Sequence, residues 1–111
     1  MTTEMKYTSY GVNYILEFKK AQYQNNGSLC IQIMCRCEGD TFLEPFARLT
    51  VNLAVPPMHE DCAFIDTNNV PRDLVQMIID EGIMTPTGLD QMSGYCIYPE
   101  CKFNHEWLEE L

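Results

Sequence analysis

Two segments near the start of the chain alternate between apolar and polar side chains, and this pattern constrains the fold most. Every second residue of 10–18, from Tyr10 to Phe18, is apolar, and the same period recurs over 29–37. A period of two places these side chains on one face of an extended chain, so each segment is predicted to be a half-buried β-strand. Asn26-Gly27 lies between them and is a strong hairpin signal. The two segments therefore predict an antiparallel hairpin.

A third strand is expected over residues 46–53, because Ala47, Leu49, Val51 and Leu53 share one face there. The turn residues Glu38-Gly39-Asp40 separate it from the second strand, and Pro45 is expected to mark its start or a bulge. Three strands joined by short turns are typical of an antiparallel meander.

The second half of the chain predicts helices. Apolar residues at helical spacing favour a main helix over 71–81, capped by Asn68 or Asn69 and ended by Gly82. Further elements are a loop over 85–88, a fourth strand interrupted at Pro99, and a short C-terminal helix over 104–111. The expected fold class is α+β: one three- to four-stranded antiparallel meander sheet, packed with one main helix and a short C-terminal helix in a single domain over 1–111. A free sheet edge leaves a homodimer open.

Charge divides the chain into two unequal halves. The net charge is −9, and residues 59–111 carry all of it, with eleven acidic and two basic side chains. Phosphate backbones repel such a protein, so direct nucleic-acid binding is not expected. Basic protein surfaces attract it. No apolar run approaches the roughly 20 residues that span a bilayer, and the first residues lack the apolar core of a signal peptide. We expect a cytoplasmic protein without membrane association.

Six cysteines occur in the sequence, and a reducing cytosol favours free thiols. The best metal candidate is Cys96-x4-Cys101-x3-His105, completed by Cys62 or His59. Zinc knuckles use tighter cysteine pairs, so this spacing only partly fits structural zinc. No cofactor is therefore expected.

Catalysis has weak support in the sequence. Cys62 with His59 or His105 is the candidate nucleophile–base combination, and no local hydrolase signature surrounds it. Glu60, Asp61 and Asp66 offer carboxylates to a divalent cation, but their spacing differs from that of an EF-hand. We expect that the protein is not an enzyme.

Several segments carry a resemblance to known proteins. The distinctive ones are Phe46–Leu53, Asp61–Asn69 followed by Pro71, Pro86-Thr87-Gly88, and Ser93–Pro99. In this order they resemble a family of small acidic proteins of unknown function on plasmids and conjugative elements of Gram-positive bacteria. The chain is also similar to type II anti-CRISPR proteins, which are inhibitors of Cas9.

The anti-CRISPR resemblance implies a protein partner, either Cas9 or its complex with guide RNA. It also implies interference with guide RNA loading or with DNA binding. Cas9 holds nucleic acids in positively charged channels, where carboxylates can take the place of phosphates. The side chains expected to bind the partner are eight acids of the second half: Asp73, Asp80, Glu81, Asp90, Glu100, Glu106, Glu109 and Glu110. The alternatives are an accessory protein of a mobile genetic element that binds another host or transfer protein, or a small structural zinc protein.

Overall fold

The chain forms two four-stranded antiparallel sheets and two helices in a computed structural model that describes residues 3–111. The first sheet has the order β1-β2-β3-β4, with strands Glu4–Ser9, Val12–Gln22, Leu29–Cys37 and Glu44–Arg48. The second has the order β5-β6-β8-β7, with β5 Thr50–Val51, β6 Cys62–Ile65, β7 Met84–Ser93 and β8 Cys96–Phe103. The helices are α1 Arg72–Asp80 and α2 His105–Glu109. The α+β class is confirmed, whereas the expectation of a single sheet is wrong.

The predicted hairpin is confirmed as β2 and β3. Phe18 lies opposite Ile33 in the register, and both side chains are buried. Gly27 has a φ of 71° in the connecting loop, a conformation that glycine adopts without steric cost.

The alternating pattern does not predict β1, because it assigns Tyr10 and Gly11 to a strand. These two residues instead form the turn between β1 and β2. Tyr10 and Gly11 have φ values of 49° and 77°, as the two central residues of a type I′ turn require. Tyr10 is consequently fully exposed instead of sharing the buried face of Leu16 and Phe18.

The predicted third strand is divided between the two sheets at Leu49. Arg48 pairs with Gln32 in the first sheet, and Thr50 pairs with Ile65 in the second. The Leu49 N–H donates to the carbonyl of Ile31, and its own carbonyl accepts from the N–H of Asp66, each at 2.9 Å. Its backbone therefore joins the two sheets, which alternation along one segment does not reveal.

Two expectations about β7 and β8 are wrong. Residues 85–88 belong to β7, where a bulge lies between Pro86 and Asp90, and are not a separate loop. Pro99 does not interrupt β8, because it lies within the strand Cys96–Phe103 and opposite Asp90 of β7.

The helix ends follow the sequence in part. Neither Asn68 nor Asn69 caps α1, because Pro71 is the N-cap residue and makes no side-chain hydrogen bond. Asn69 instead donates its side-chain amide to Asp66. Gly82 ends α1 as expected: its φ is 78°, and its N–H donates to the Ile79 carbonyl at 3.0 Å.

The C-terminal helix begins at a capped residue and has a buried side. Asn104 accepts a hydrogen bond from the Trp107 N–H at 3.2 Å, which is the N-cap interaction of α2.

Within residues 3–111, none of the helices has the length and apolar character that crossing a membrane requires.

Trp107 joins the two sheets in the core. Its side chain is fully buried, and its ring lies 5.3 Å from that of Phe18 in the first sheet and 6.0 Å from that of Phe103 in the second. The same core cluster includes Leu49 and, from α1, Leu74. The short C-terminal helix is thus held in place by apolar burial, as the apolar pattern of 104–111 predicts.

Replacing Phe103 by alanine is expected to lower the free energy of unfolding by about 3–5 kcal/mol, because a large cavity opens beside Trp107. Trp107 is the one tryptophan of the chain, so its fluorescence reports denaturant unfolding directly. Met58→Ala is the control, since Met58 is 96% exposed and lies outside the core. It should stay within about 0.5 kcal/mol of the wild type. Equal losses in both variants would contradict this account of the core.

Candidate functional site

Two backbone hydrogen bonds gather three distant segments at one end of the second sheet. The Phe103 N–H donates to the carbonyl of Asp61, and the Asn104 N–H donates to the carbonyl of Ile83, each at 2.8 Å. These bonds bring residues 60–61 and the end of α1 next to the start of α2. We call the carboxylates gathered there the acidic end: Glu60, Asp61, Asp80, Glu81, Glu106, Glu109 and Glu110.

Five of the eight predicted partner-binding acids belong to the acidic end, and three do not. Asp73 lies at the other end of α1, about 10 Å away by helix rise, where it accepts a hydrogen bond from the Tyr7 hydroxyl at 3.0 Å. Asp90 is exposed on β7.

Glu100 requires a correction, because its side chain is not on the surface. It is only 8% exposed, and the Thr87 hydroxyl donates to its Oε1 at 2.8 Å. Glu100 and Phe64 are opposite each other in the pairing of β8 with β6. Periodicity did not reveal this burial, because a glutamate in a strand is normally on the exposed face.

Glu60 and Asp61 also belong to the acidic end. The sequence suggests them only as ligands of a divalent cation. Asp61 comes directly before β6, and the antiparallel pairing of β6 with β8 brings it to the start of α2. The signal that could have found it is the acidic pair placed just before a short apolar strand.

His105 is held between two carboxylates of the acidic end. Its Nδ1 lies 3.1 Å from Asp61 Oδ2, and its Nε2 lies 2.9 Å from Glu109 Oε1. Both ring nitrogens donate only when the imidazole is protonated. The hydrogen bond and charge of Asp61, followed by the charge of Glu109, raise the pKa of His105.

An open groove of about 590 Å³ runs beside the acidic end. Glu60, Asp61 and Glu109 line it together with Leu29 and Leu108, two leucines that are only 8% and 4% exposed. Lys20 borders the groove and donates to the Leu108 carbonyl at 2.8 Å. A long basic side chain of a partner would find both apolar contact for its stem and carboxylates for its charge.

The predicted zinc ligands are not brought together. Cys96 and Cys101 lie on one continuous strand, where five residues separate positions by about 16 Å and direct the side chains to opposite faces. Ala63, the neighbour of Cys62, is the residue paired with Cys101, so Cys62 and Cys101 also leave the sheet on opposite faces. Residues 3–111 contain no group of three or more His, Cys, Asp or Glu side chains that could hold a metal ion. Glu60, Asp61 and Asp66 therefore do not form a cation site either.

Cys62 also lacks the surroundings of a nucleophile. It is buried, and burial together with the charge of Glu100 raises the pKa of its thiol. Burial raises the pKa of Cys101 to about 11. Nucleophilic cysteines need the opposite shift, because the thiolate is the reactive form.

Comparison with known proteins assigns the chain to a family. Residues 16–111 match the family described as Domain of unknown function (DUF4313). The chain belongs to this family. Searches of curated proteins and of solved structures returned no match. The match includes every residue of the acidic end and of the groove beside it. The description of the family names no function.

Native alkylation is expected to follow the exposure of the thiols. Cys37 is exposed and Cys96 is partly exposed, so iodoacetamide should modify these two first. Cys62 and Cys101 should react only after unfolding, because both thiols are buried and their pKa values are raised. Peptide mass spectrometry with and without denaturant checks this order. Fast modification of Cys62 in the folded protein would reopen its role as a nucleophile.

The pKa of His105 is expected to lie above its ordinary value of about 6.5 and to fall when Asp61 is replaced by asparagine. Because the folded pKa is raised, the stabilisation is fully present below the unfolded pKa and is lost as pH rises through the folded pKa. An NMR titration of the imidazole measures this. Glu44→Gln, in β4 of the other sheet, should leave the His105 titration unchanged. An unchanged pKa in Asp61→Asn would contradict the assignment.

Proposed function

We propose that this DUF4313 protein is an inhibitor of a nucleic-acid-handling protein, and that its acidic end binds a basic channel of that partner. The expected partner is a type II effector, Cas9, or its complex with guide RNA. The observation that carries the proposal is the gathering of seven carboxylates by the Asp61–Phe103 and Ile83–Asn104 backbone hydrogen bonds.

The chemistry of the acidic end suits a surface that normally binds phosphates. Carboxylates pair with arginine and lysine through charge-assisted hydrogen bonds, as phosphates do. Glu81 and Glu106 are exposed, and α1 and α2 hold them on backbone that is already ordered. A preordered surface reduces the entropic cost of binding. Since phosphates repel the same surface, the proposal excludes direct binding of DNA or RNA by this chain.

The groove beside the acidic end supports a protein partner. Glu60, Asp61 and Glu109 line one part of it, and the largely buried Leu29 and Leu108 add a small apolar area. An arginine or lysine of the partner can enter with its methylene groups against the leucines. The proposed function is therefore binding rather than catalysis, and it uses neither a metal nor a cofactor.

A cleavage assay with purified Cas9 tests the named partner. The protein is added either before or after guide RNA, and several Cas9 orthologues are compared. Inhibition only when the protein precedes the guide is the expected result, because the guide channel is densely basic. Inhibition in both orders would support Cas9 as the partner and assign the block to DNA binding or cleavage. No inhibition of any orthologue would overturn the proposal in favour of another host or transfer protein.

Neutralising the acidic end is expected to weaken partner binding at least tenfold, or about 1.4 kcal/mol. The test variant combines Asp80→Asn, Glu81→Gln and Glu106→Gln. The control removes the same number of charges at the β3–β4 turn, with Glu38→Gln, Asp40→Asn and Glu44→Gln. Binding is measured by calorimetry at low and high salt, and the wild-type affinity should fall as salt rises. Equal weakening in both variants would show that net charge, not the acidic end, determines binding.

A further inference from the structure

The ends of β7 and β8 form a two-stranded arm that extends beyond the rest of their sheet. We call residues 89–98 the arm. β7 pairs with β8 as far as Ser93 and Cys96, whereas β6 pairs with β8 only from Glu100 to Lys102. Gly94, with a φ of 61°, begins the two-residue turn at the tip. Such a ribbon is marginally stable in water unless another surface covers it.

The arm is apolar and nearly free of charge. Its exposed side chains are Leu89 at 62%, Met92 at 65%, Ile97 at 55% and the fully exposed Tyr95. Met92 and Ile97 lie opposite each other on the two strands. Asp90 is the one charged residue between Glu81 and Glu100, in a chain with a net charge of −9. Met92 and Ile97 therefore share one face of the ribbon, and adjacent exposed apolar side chains of this kind favour an interaction surface.

The arm also has an unprotected sheet edge. Of the other edge strands in the described part of the chain, β1 carries Glu4 and Lys6, β4 carries Glu44, Pro45 and Arg48, and β5 has only two residues. Charges, proline and short length each discourage pairing with another chain. In the last five residues of β7, 89–93, Asp90 is the one residue that discourages such pairing.

The register determines which backbone groups face this edge. Pro99 has no N–H, so its pair with Asp90 is a non-hydrogen-bonded pair, and alternation makes Met92 and Ile97 another. Asp90 and Met92 therefore direct their backbone N–H and C=O groups away from β8. The Met92 carbonyl accepts from the side chain of Gln91 at 3.2 Å, which agrees with a carbonyl on the free edge.

We propose that the β7 edge of the arm pairs antiparallel with β7 of a second copy, with the two-fold axis at Gln91. This register puts Asp90 opposite Met92 of the second copy, so the backbone groups of both residues find partners and the two Asp90 carboxylates do not face each other. The second sheet of one copy and the second sheet of the other then form one continuous eight-stranded sheet across the dimer.

A second copy fits the arm better than an unrelated chain, because an antiparallel edge is complementary to itself about a two-fold axis. Charge also selects this place for self-association. Two copies with a net charge of −9 repel each other over most of their surfaces, and the repulsion is smallest where charges are fewest. The interface uses no residue of the acidic end, so the proposal stands independently of the proposed function.

Sedimentation equilibrium from low to high micromolar concentration tests the dimer. The wild type should dimerise, and Met92→Asp should weaken dimerisation at least tenfold, because it puts a carboxylate opposite Asp90 of the second copy. Met92→Lys should retain the dimer, since lysine is then opposite that carboxylate. Met58→Asp is the matched control, because Met58 is 96% exposed outside the arm. A wild-type monomer at all concentrations, or equal effects of Met92→Asp and Met58→Asp, would overturn the proposal.

Cross-linking tests the register. In a chain with Cys37→Ser and Cys96→Ser, Gln91→Cys should oxidise to a covalent dimer, because opposite residues of a non-hydrogen-bonded pair have Cα atoms about 4.5 Å apart. That distance is within the range of disulfides. Leu89→Cys in the same background should not cross-link, since Ser93 of the second copy lies opposite it. Circular dichroism verifies that both variants are folded. Absence of the Gln91→Cys cross-link, or equal cross-linking at both positions, would contradict this register.

Discussion

The structure depends on the corner between β8 and α2. At this corner the N–H groups of Phe103 and Asn104 donate to two different segments, and the Asn104 side chain caps the helix. One turn later, Trp107 fills the space between Phe18 of the first sheet and Phe103 of the second. The same short stretch thus closes the core and collects the acidic side chains outside it. Burial of the aromatic rings therefore holds the acidic side chains close together, although their charges repel one another.

This repulsion between carboxylates is a physical property of the acidic end. Like charges at one end of a small domain destabilise the folded state through repulsion. Two basic side chains reduce the negative potential locally. His105 lies between Asp61 and Glu109, and Lys20 donates to the Leu108 carbonyl. Asp80 at the end of α1 accepts a hydrogen bond from the neutral side-chain amide of Gln76 at 2.8 Å, which leaves its negative charge uncompensated by that contact. A basic partner surface would relieve this repulsion, which gives the proposed binding an electrostatic driving force.

The two proposed interfaces use different physics at separate places. The acidic end offers charge, which attracts a basic partner over a distance and weakens with salt. The arm offers backbone hydrogen bonds and apolar side chains with one charge, which act only on contact. Because the residues of the two surfaces do not overlap, a variant of one can serve as the folded control for the other.

Much of the fold follows from local patterns in the sequence. Alternation predicted β2 and β3, helical spacing with Gly82 predicted α1, and Asn104 to Leu111 behaved as a short amphipathic helix. Each of these signals depends on the order of side chains within one segment. The division of the third strand at Leu49 had no such signal, because Leu49 is buried in either arrangement and only the backbone pairing differs.

For the site, the order of residues establishes that acidic side chains outnumber basic ones in the second half of the chain. It did not determine which acids share a surface. The folded chain brings Asp61 close to Glu106 and Glu109, and it buries Glu100 against β6 and Thr87. The physical reason is that charge is a property of each residue, whereas proximity comes from the pairing of strands that are far apart along the chain.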